Sequence, residues 1–237
     1  MDSARLRVIA PALALLALLA VGLGLRLYNL TPPERGLLFA ADADEGIYAA
    51  SARLALDGFT PYRDYFCSAP PLALYLFMAV LEPTSPPWGD ANGFMALRYA
   101  SVAYGMATLL VVYAIGSRLG GSAAGLLAVA LLAVDGWAAA QDRRAMLEAP
   151  MTMFSALAVL ALATAQQRPG RNLRWYALSG VLAGLAVLSK TQGMVIVGAL
   201  ALTLLAQRRW RPLAVVSIAA VAAYITLSLP YLLAAGD

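Results

Sequence analysis

The feature that most limits what this chain can fold into is its return, seven times, to an apolar run near membrane-spanning length. The runs cover residues 8–25, 94–115, 122–138, 149–165, 175–189, 193–206 and 213–233. The first holds about 18 residues, close to what a helix needs to cross the ~30 Å hydrocarbon core. Backbone groups inside a bilayer must find their hydrogen bonds within the segment, so such runs form helices. Hydrophobic residues make up 62% of the 237 positions and charged residues 13%, whereas a soluble domain sits nearer half and a quarter. The expected fold is all-α: a polytopic membrane protein of about seven transmembrane helices, one domain over residues 1–237.

Arg5 and Arg7 precede the first run as they would in a signal peptide. Arg26-Leu27-Tyr28 follows it in place of a small-residue cleavage site, so a retained first helix is expected. Gly120-Gly121-Ser122 and Arg168-Pro169-Gly170 mark turns between later runs. With the N-terminus cytoplasmic, the inner connections carry nine cations against one acid, and the outer ones eight against twelve. Every short inner connection is then basic, as the positive-inside rule requires. This places residues 28–93 and 139–149 as two extracytoplasmic loops of a multi-pass plasma-membrane protein. The net charge of +4 is sorted by side rather than gathered in a groove, which argues against nucleic acid as a partner. A single cysteine, Cys67, and no histidine exclude an internal disulfide and imidazole chemistry. Cys67 reads as a small packing residue.

The first loop concentrates charge. Asp42, Asp44, Glu45, Asp57 and Asp64 lie there with Arg53 and Arg63. The bland reading makes Asp42 an N-cap and Glu45 the N3 acid of a capping box, opening a helix that runs to Leu56. That account fits Asp44 only loosely, and position alone leaves it open whether Asp44 is a further first-turn acid or a working carboxylate. Residues 71–81 are apolar but too short to span, and Pro70-Pro71 fits a helix start, so a short interfacial or re-entrant helix is expected. Tyr62, Arg63 and Asp64 could contact a sugar, but a local ion pair and interfacial packing explain them equally well.

In the second loop, Arg144 and Glu148 stand four apart and could form a helical salt pair. With Arg143 they could equally recognise a phosphate and a sugar, through guanidinium forks and a carboxylate. The runs at 175–189 and 193–206 are short and flanked by basic residues at their outer ends, so they form a hairpin. Its tip, Ser189-Lys190-Thr191-Gln192-Gly193, then lies below the outer surface, where a lysine needs a cavity or an anion.

Taken together, these segments resemble the membrane-embedded glycosyltransferases of the GT-C superfamily, of the type that includes protein O-mannosyltransferases and aminoarabinose transferases. The resemblance rests on Asp44-Glu45-Gly46-Ile47-Tyr48, Asp57-Gly58, Pro61-Tyr62-Arg63-Asp64-Tyr65-Phe66, Pro70-Pro71-Leu72, Ala145-Met146-Leu147-Glu148-Ala149-Pro150 and the Lys190 element. It implies a polyprenyl-phosphate sugar donor and inverting transfer to an extracytoplasmic protein, lipid or glycan. Asp44, Glu45 and Glu148 would be the catalytic acids, and Tyr62, Arg63, Asp64, Arg143, Arg144 and Lys190 the substrate contacts. Many relatives carry a lysine or histidine just before the proline pair. Ala69 stands here, which moves phosphate binding to Lys190 and Arg143/Arg144. The resemblance also implies further spans and a soluble outer domain absent from these residues, and a partner that could supply them. No definite cofactor is implied, and a divalent cation is left open. Two other readings remain at this point: a lipid or sugar transporter or flippase, and a non-catalytic lipid-binding membrane subunit.

Overall fold

The computed structural model describes residues 3–30, 43–84, 91–167 and 173–234. These are helical throughout, apart from turns and one isolated bridge between Pro61 and Tyr65. In chain order the helices are α1 (Ser3–Leu27), α2 (Ala43–Leu56), α3 (Pro71–Thr84), α4 (Ala91–Ala133), α5 (Gly136–Asp142), α6 (Glu148–Gln167), α7 (Leu173–Ser189), α8 (Met194–Ala206) and α9 (Trp210–Ala234). A 3-10 turn, Thr191–Gly193, joins α7 to α8.

Four of these, α1, α4, α6 and α9, contain segments long and apolar enough to cross a membrane. The seven expected runs map onto these four and three shorter pieces. One is the second arm of α4; the others are α7 and α8, of 17 and 13 residues. α4 is a hairpin. Its backbone leaves the helical region at Gly120 and Gly121, where Gly121 takes a φ of +80° that side chains disfavour. The arms then run antiparallel, so close at Gly116 that a Cβ there would stand 2.8 Å from the Gly125 Cα.

α7 occupies the centre of the bundle, against α6 on one side and α9 on the other. Small residues allow this, as expected where lipid offers no hydrophobic drive between helices. A Cβ at Gly180 would lie 2.3 Å from the Val216 carbonyl oxygen, and one at Gly184 2.7 Å from that of Ala220. Toward α6, Ser179 Oγ donates to the Ala158 carbonyl at 2.8 Å.

The connections collect at two ends. At one, Gln167 donates to the Arg118 carbonyl, Gln166 to the Gln207 side chain and Arg209 to the Tyr176 hydroxyl. At the other, α2, α3 and the α5–α6 connection form a cap around Tyr48, Phe77, Leu81, Leu97, Met146 and Leu147. Cys67 is buried in that cluster as a free thiol, consistent with a packing role. α2 ends in a Schellman motif: Phe59 N–H bonds the Leu54 carbonyl at 3.0 Å and Gly58, with φ +94°, bonds Ala55 at 3.2 Å. α3 begins at Pro71, as its sequence predicts.

Candidate functional site

The capped end carries most of the predicted residues, held by three ion pairs that tie separate segments together. The first involves Glu45, in the opening turn of α2 and fully buried. Its Oε1 accepts from Arg98 Nε at 3.0 Å and from the Ala145 backbone N–H at 2.6 Å, while Oε2 accepts from Arg98 Nη2 at 2.9 Å. Arg98 also donates to the Leu30 carbonyl at 3.2 Å and lies over the Phe94 ring. One carboxylate thus fastens α2 to α4 and to the second loop. Both of its oxygens are engaged, which suits positioning better than proton transfer. Asp44 precedes it on the same turn, half-buried. The clamp on Glu45 therefore fixes where the Asp44 backbone stands. Asp42, the expected N-cap, lies outside the described residues.

The second pair joins Arg26, at the end of α1, to Asp142, at the end of α5, with Nε to Oδ2 at 2.8 Å. Arg26 also donates to the Gly22 and Ala133 carbonyls at 3.2 and 3.4 Å. The Asp142 carboxylate fits because α4 offers Gly105 there; a Cβ would lie 2.2 Å from Oδ2. Burial raises the Asp142 pKa above its ordinary value, and Arg26 offsets this only in part. α5 is capped by Asp135, whose side chain accepts from Ala138 N–H at 2.6 Å.

The third pair answers the question posed by a lysine at depth. Lys190, at the α7–α8 tip, pairs with Glu148, the first residue of α6, both partly buried. Glu148 Oε2 is buried without a hydrogen-bond partner. The expected helical pairing of Arg144 with Glu148 does not apply, because α5 stops at Asp142 and α6 starts at Glu148, leaving Arg144 in the turn between them. Gly193 makes the tight tip feasible: a Cβ would meet Ala186 backbone at 2.4 Å.

Arg143 donates to the Tyr28 carbonyl at 2.9 Å and to that of Ala139 at 3.2 Å, so it ties the second loop to the end of α1. Arg63 and Asp64 pair with each other at 2.9 Å on an exposed turn, and Thr60 N–H reinforces Asp64 at 2.7 Å. The Arg63 hydrogen bond holds the Asp64 carboxyl below its ordinary pKa. Arg63 also reaches the Ala234 carbonyl at the end of α9, at 3.3 Å. Tyr62 adopts a left-handed φ of +69°, donates to the Ala69 carbonyl at 2.5 Å and meets Tyr231 edge-on at 6.0 Å. Tyr65 donates to the Ser51 carbonyl at 2.6 Å, and burial pushes its pKa to about 12. Phe66 projects outward, 90% exposed.

Beside the second and third pairs lies a cavity of about 270 Å³, with Thr108, Trp137, Gln141, Asp142, Glu148 and Thr152 among its walls. Among the described residues no group of three or more His, Cys, Asp or Glu side chains is placed to hold a metal ion. The buried acids Glu45 and Asp142 are each committed to an arginine.

Several participants escaped the sequence reading. Arg98 sat inside an apolar run and Arg26 at the end of another. The available signal was their cost in a membrane helix, which only a partner offsets. Trp137 and Gly105 gave no sequence signal.

The fold and the site together describe a multi-pass helical membrane protein with its ionic network at one end of the bundle. The chain belongs to the dolichyl-phosphate-mannose-protein mannosyltransferase family, whose sequence profile matches residues 68–233. That match includes Glu148, Arg143, Arg144 and Lys190 and begins after Asp44 and Glu45. No curated protein sequence matches. Among solved structures, the protein O-mannosyltransferase Pmt1-Pmt2 complex of S. cerevisiae, bound to the sugar donor, superimposes with a TM-score of 0.69 at 20% identity, covering 94% of this chain and 33% of that one. The oligosaccharyltransferase of Archaeoglobus fulgidus in its apo form gives a TM-score of 0.68 at 17% identity, covering 93% of this chain and 29% of that one. At these identities the likeness is one of fold, and the chain spans about a third of each.

Proposed function

We propose that the chain forms the catalytic membrane portion of a glycosyltransferase. It moves a sugar, mannose being the one in the family's name, from a polyprenyl-phosphate donor to an extracytoplasmic acceptor hydroxyl. The observation that carries this reading is the gathering of both acidic loops and the Lys190 tip at one end of the bundle, in a chain of this family. Asp44 acts as base, taking the acceptor's proton as its oxygen attacks the anomeric carbon. The bond from that carbon to the phosphate oxygen breaks on the opposite face, which inverts the centre. Lys190, Arg143 and Arg144 stabilise the charge that collects on the departing lipid phosphate. Lys190 must then exchange Glu148 for phosphate, and the partial exposure of both side chains leaves room for it.

Proteoliposomes containing the chain, supplied with polyprenyl-phosphate mannose and an acceptor peptide, test this. Asp44→Asn should lower transfer by about 10²–10⁴-fold with the fold retained. Full activity in that variant removes Asp44 as base. Passage of labelled donor across the bilayer without transfer would favour a flippase instead.

A further inference from the structure

We propose that the cavity between α4, α5 and α6 is a pocket for a single uncharged sugar ring, with Trp137 as its platform. Its size comes first. At about 270 Å³ it lies just under the roughly 300 Å³ lower end of small-molecule sites, so it suits one ring rather than a disaccharide.

Its charge comes second. The ionic groups on its wall are Arg26, Asp142 and Glu148. Arg26 is paired with Asp142, and Glu148 with Lys190, which does not line the cavity. A phosphate would have to take Arg26 from Asp142, and a cation would have to take Asp142 from Arg26. A neutral ring leaves the Arg26–Asp142 pair in place, and only a phosphate at Lys190, outside the cavity lining, would part Lys190 from Glu148.

Its hydrogen bonding comes third. Glu148 Oε2 is buried and unpartnered, and a buried carboxylate oxygen calls for a donor. A sugar hydroxyl supplies one, whereas an ionised phosphate does not. Thr108 already donates to the Tyr104 carbonyl at 2.9 Å, so its hydroxyl faces a ligand as an acceptor. Gln141 and Thr152 add further donors and acceptors suited to a ring bearing several hydroxyls.

The platform comes last. Trp137 is 76% exposed although it lines the cavity, which leaves an indole face for the apolar side of a pyranose. Trp137, Gln141 and Thr152 become specificity residues on this assignment, and Glu148 contacts the sugar rather than its phosphate. The inference rests on the transferase reading for the source of the sugar, but binding alone tests it.

The experiment uses the whole chain in nanodiscs with methyl α-mannopyranoside as probe and glycerol as the acyclic control, read by saturation-transfer NMR. Wild type should saturate the ring protons and not glycerol. Trp137→Ala should weaken binding by about three- to tenfold, the loss of one aromatic contact. Gln141→Leu, a change at a half-buried position that leaves the helix intact, should weaken it as well. Wild-type binding in both variants, or glycerol bound as well as the glycoside, overturns the pocket. Displacement of the probe by a short polyprenyl-phosphate mannose identifies the donor's sugar as occupant, and displacement by a mannosylated peptide identifies the acceptor's. Probe binding in a chain without transfer activity would defeat the transferase reading and leave the pocket standing. Transfer activity with unchanged probe binding in both variants does the reverse.

Discussion

Glu45 and Asp64 come from the same acidic stretch, and each carboxylate meets an arginine through both oxygens. Glu45 meets Arg98 at 3.0 and 2.9 Å, and Asp64 meets Arg63 at 2.9 and 3.3 Å. Their surroundings differ. The Glu45 and Arg98 side chains are 0% and 6% exposed, while those of Arg63 and Asp64 are 44% and 30% exposed. One pair joins two helices and, through Ala145 N–H, a second loop; the other joins chain neighbours on a turn. Equal geometry therefore carries unequal consequence. A buried charge whose partner is removed stays buried, whereas an exposed one returns to water.

The largest expected effect follows directly. Arg98→Ala or Glu45→Ala should cost about 3–5 kcal/mol, because each leaves an uncompensated charge in the core of the cap. The double change Glu45→Met with Arg98→Met should recover most of that stability. It should not recover transfer, since the Ala145 tether is lost. Thermal unfolding in detergent measures both. An Arg98→Ala protein as stable as wild type would erase the contrast between the two pairs.

That contrast was invisible in the sequence, for a physical reason. Charge density nominates a loop but says nothing about which member meets a distant partner. The end of α2 at Leu56 and the start of α3 at Pro70-Pro71 were legible because helix ends are set by local chemistry, in the second case a proline that gives up no hydrogen bond in a first turn. The short paired helices flanking Lys190 were legible from their lengths, and the need of that lysine for an anion from its depth. The anion itself, Glu148, opens the neighbouring helix α6, far from Lys190 in sequence, and could be found only by folding. Arg98 was overlooked because an apolar average over residues 94–115 hid it, although an arginine in such a run is itself the stronger signal.

Gly105→Ala probes the pair of intermediate character. The new methyl would overlap the Asp142 carboxylate at 2.2 Å and push it from Arg26. Overpacking of this kind costs about 1–3 kcal/mol, less than stranding the Arg98 charge. Unchanged stability would mean that the α5 segment moves freely, and that Arg26 does not hold the second loop.

Asp142 itself should show its burial in the pH dependence. Its folded pKa is raised, by burial first, above an ordinary 3.8. The folded state therefore holds the proton more tightly than the unfolded chain. This component of stability is largest below 3.8, falls as pH rises through the interval up to the raised value, and is level beyond it. Asp142→Asn should remove that slope. Arg26→Met should extend it to higher pH, because Arg26 is what holds the carboxyl down. If the pair were solvated like Arg63–Asp64, the slope of wild type relative to Asp142→Asn across an acid series of unfolding midpoints would reverse its sign.

The smallest effect belongs to the exposed pair. The Asp64 pKa is lowered, chiefly by the Arg63 hydrogen bond and then by Thr60 N–H. The sign is thus opposite to that of Asp142: its contribution is present above 3.8 and disappears as pH falls through the lowered folded value. Because the carboxylate stands in water, Asp64→Asn should leave the neutral-pH midpoint almost unmoved. Arg63 can turn to solvent, and the Thr60 N–H keeps an oxygen acceptor. The same variant would separate structure from recognition in this turn. If transfer falls while the midpoint holds, Asp64 touches a substrate, and its pairing with Arg63 is the resting arrangement of two ligand-binding groups. If both hold, the turn is a packed support for the Tyr62 and Tyr231 contact, and Asp64 touches no substrate.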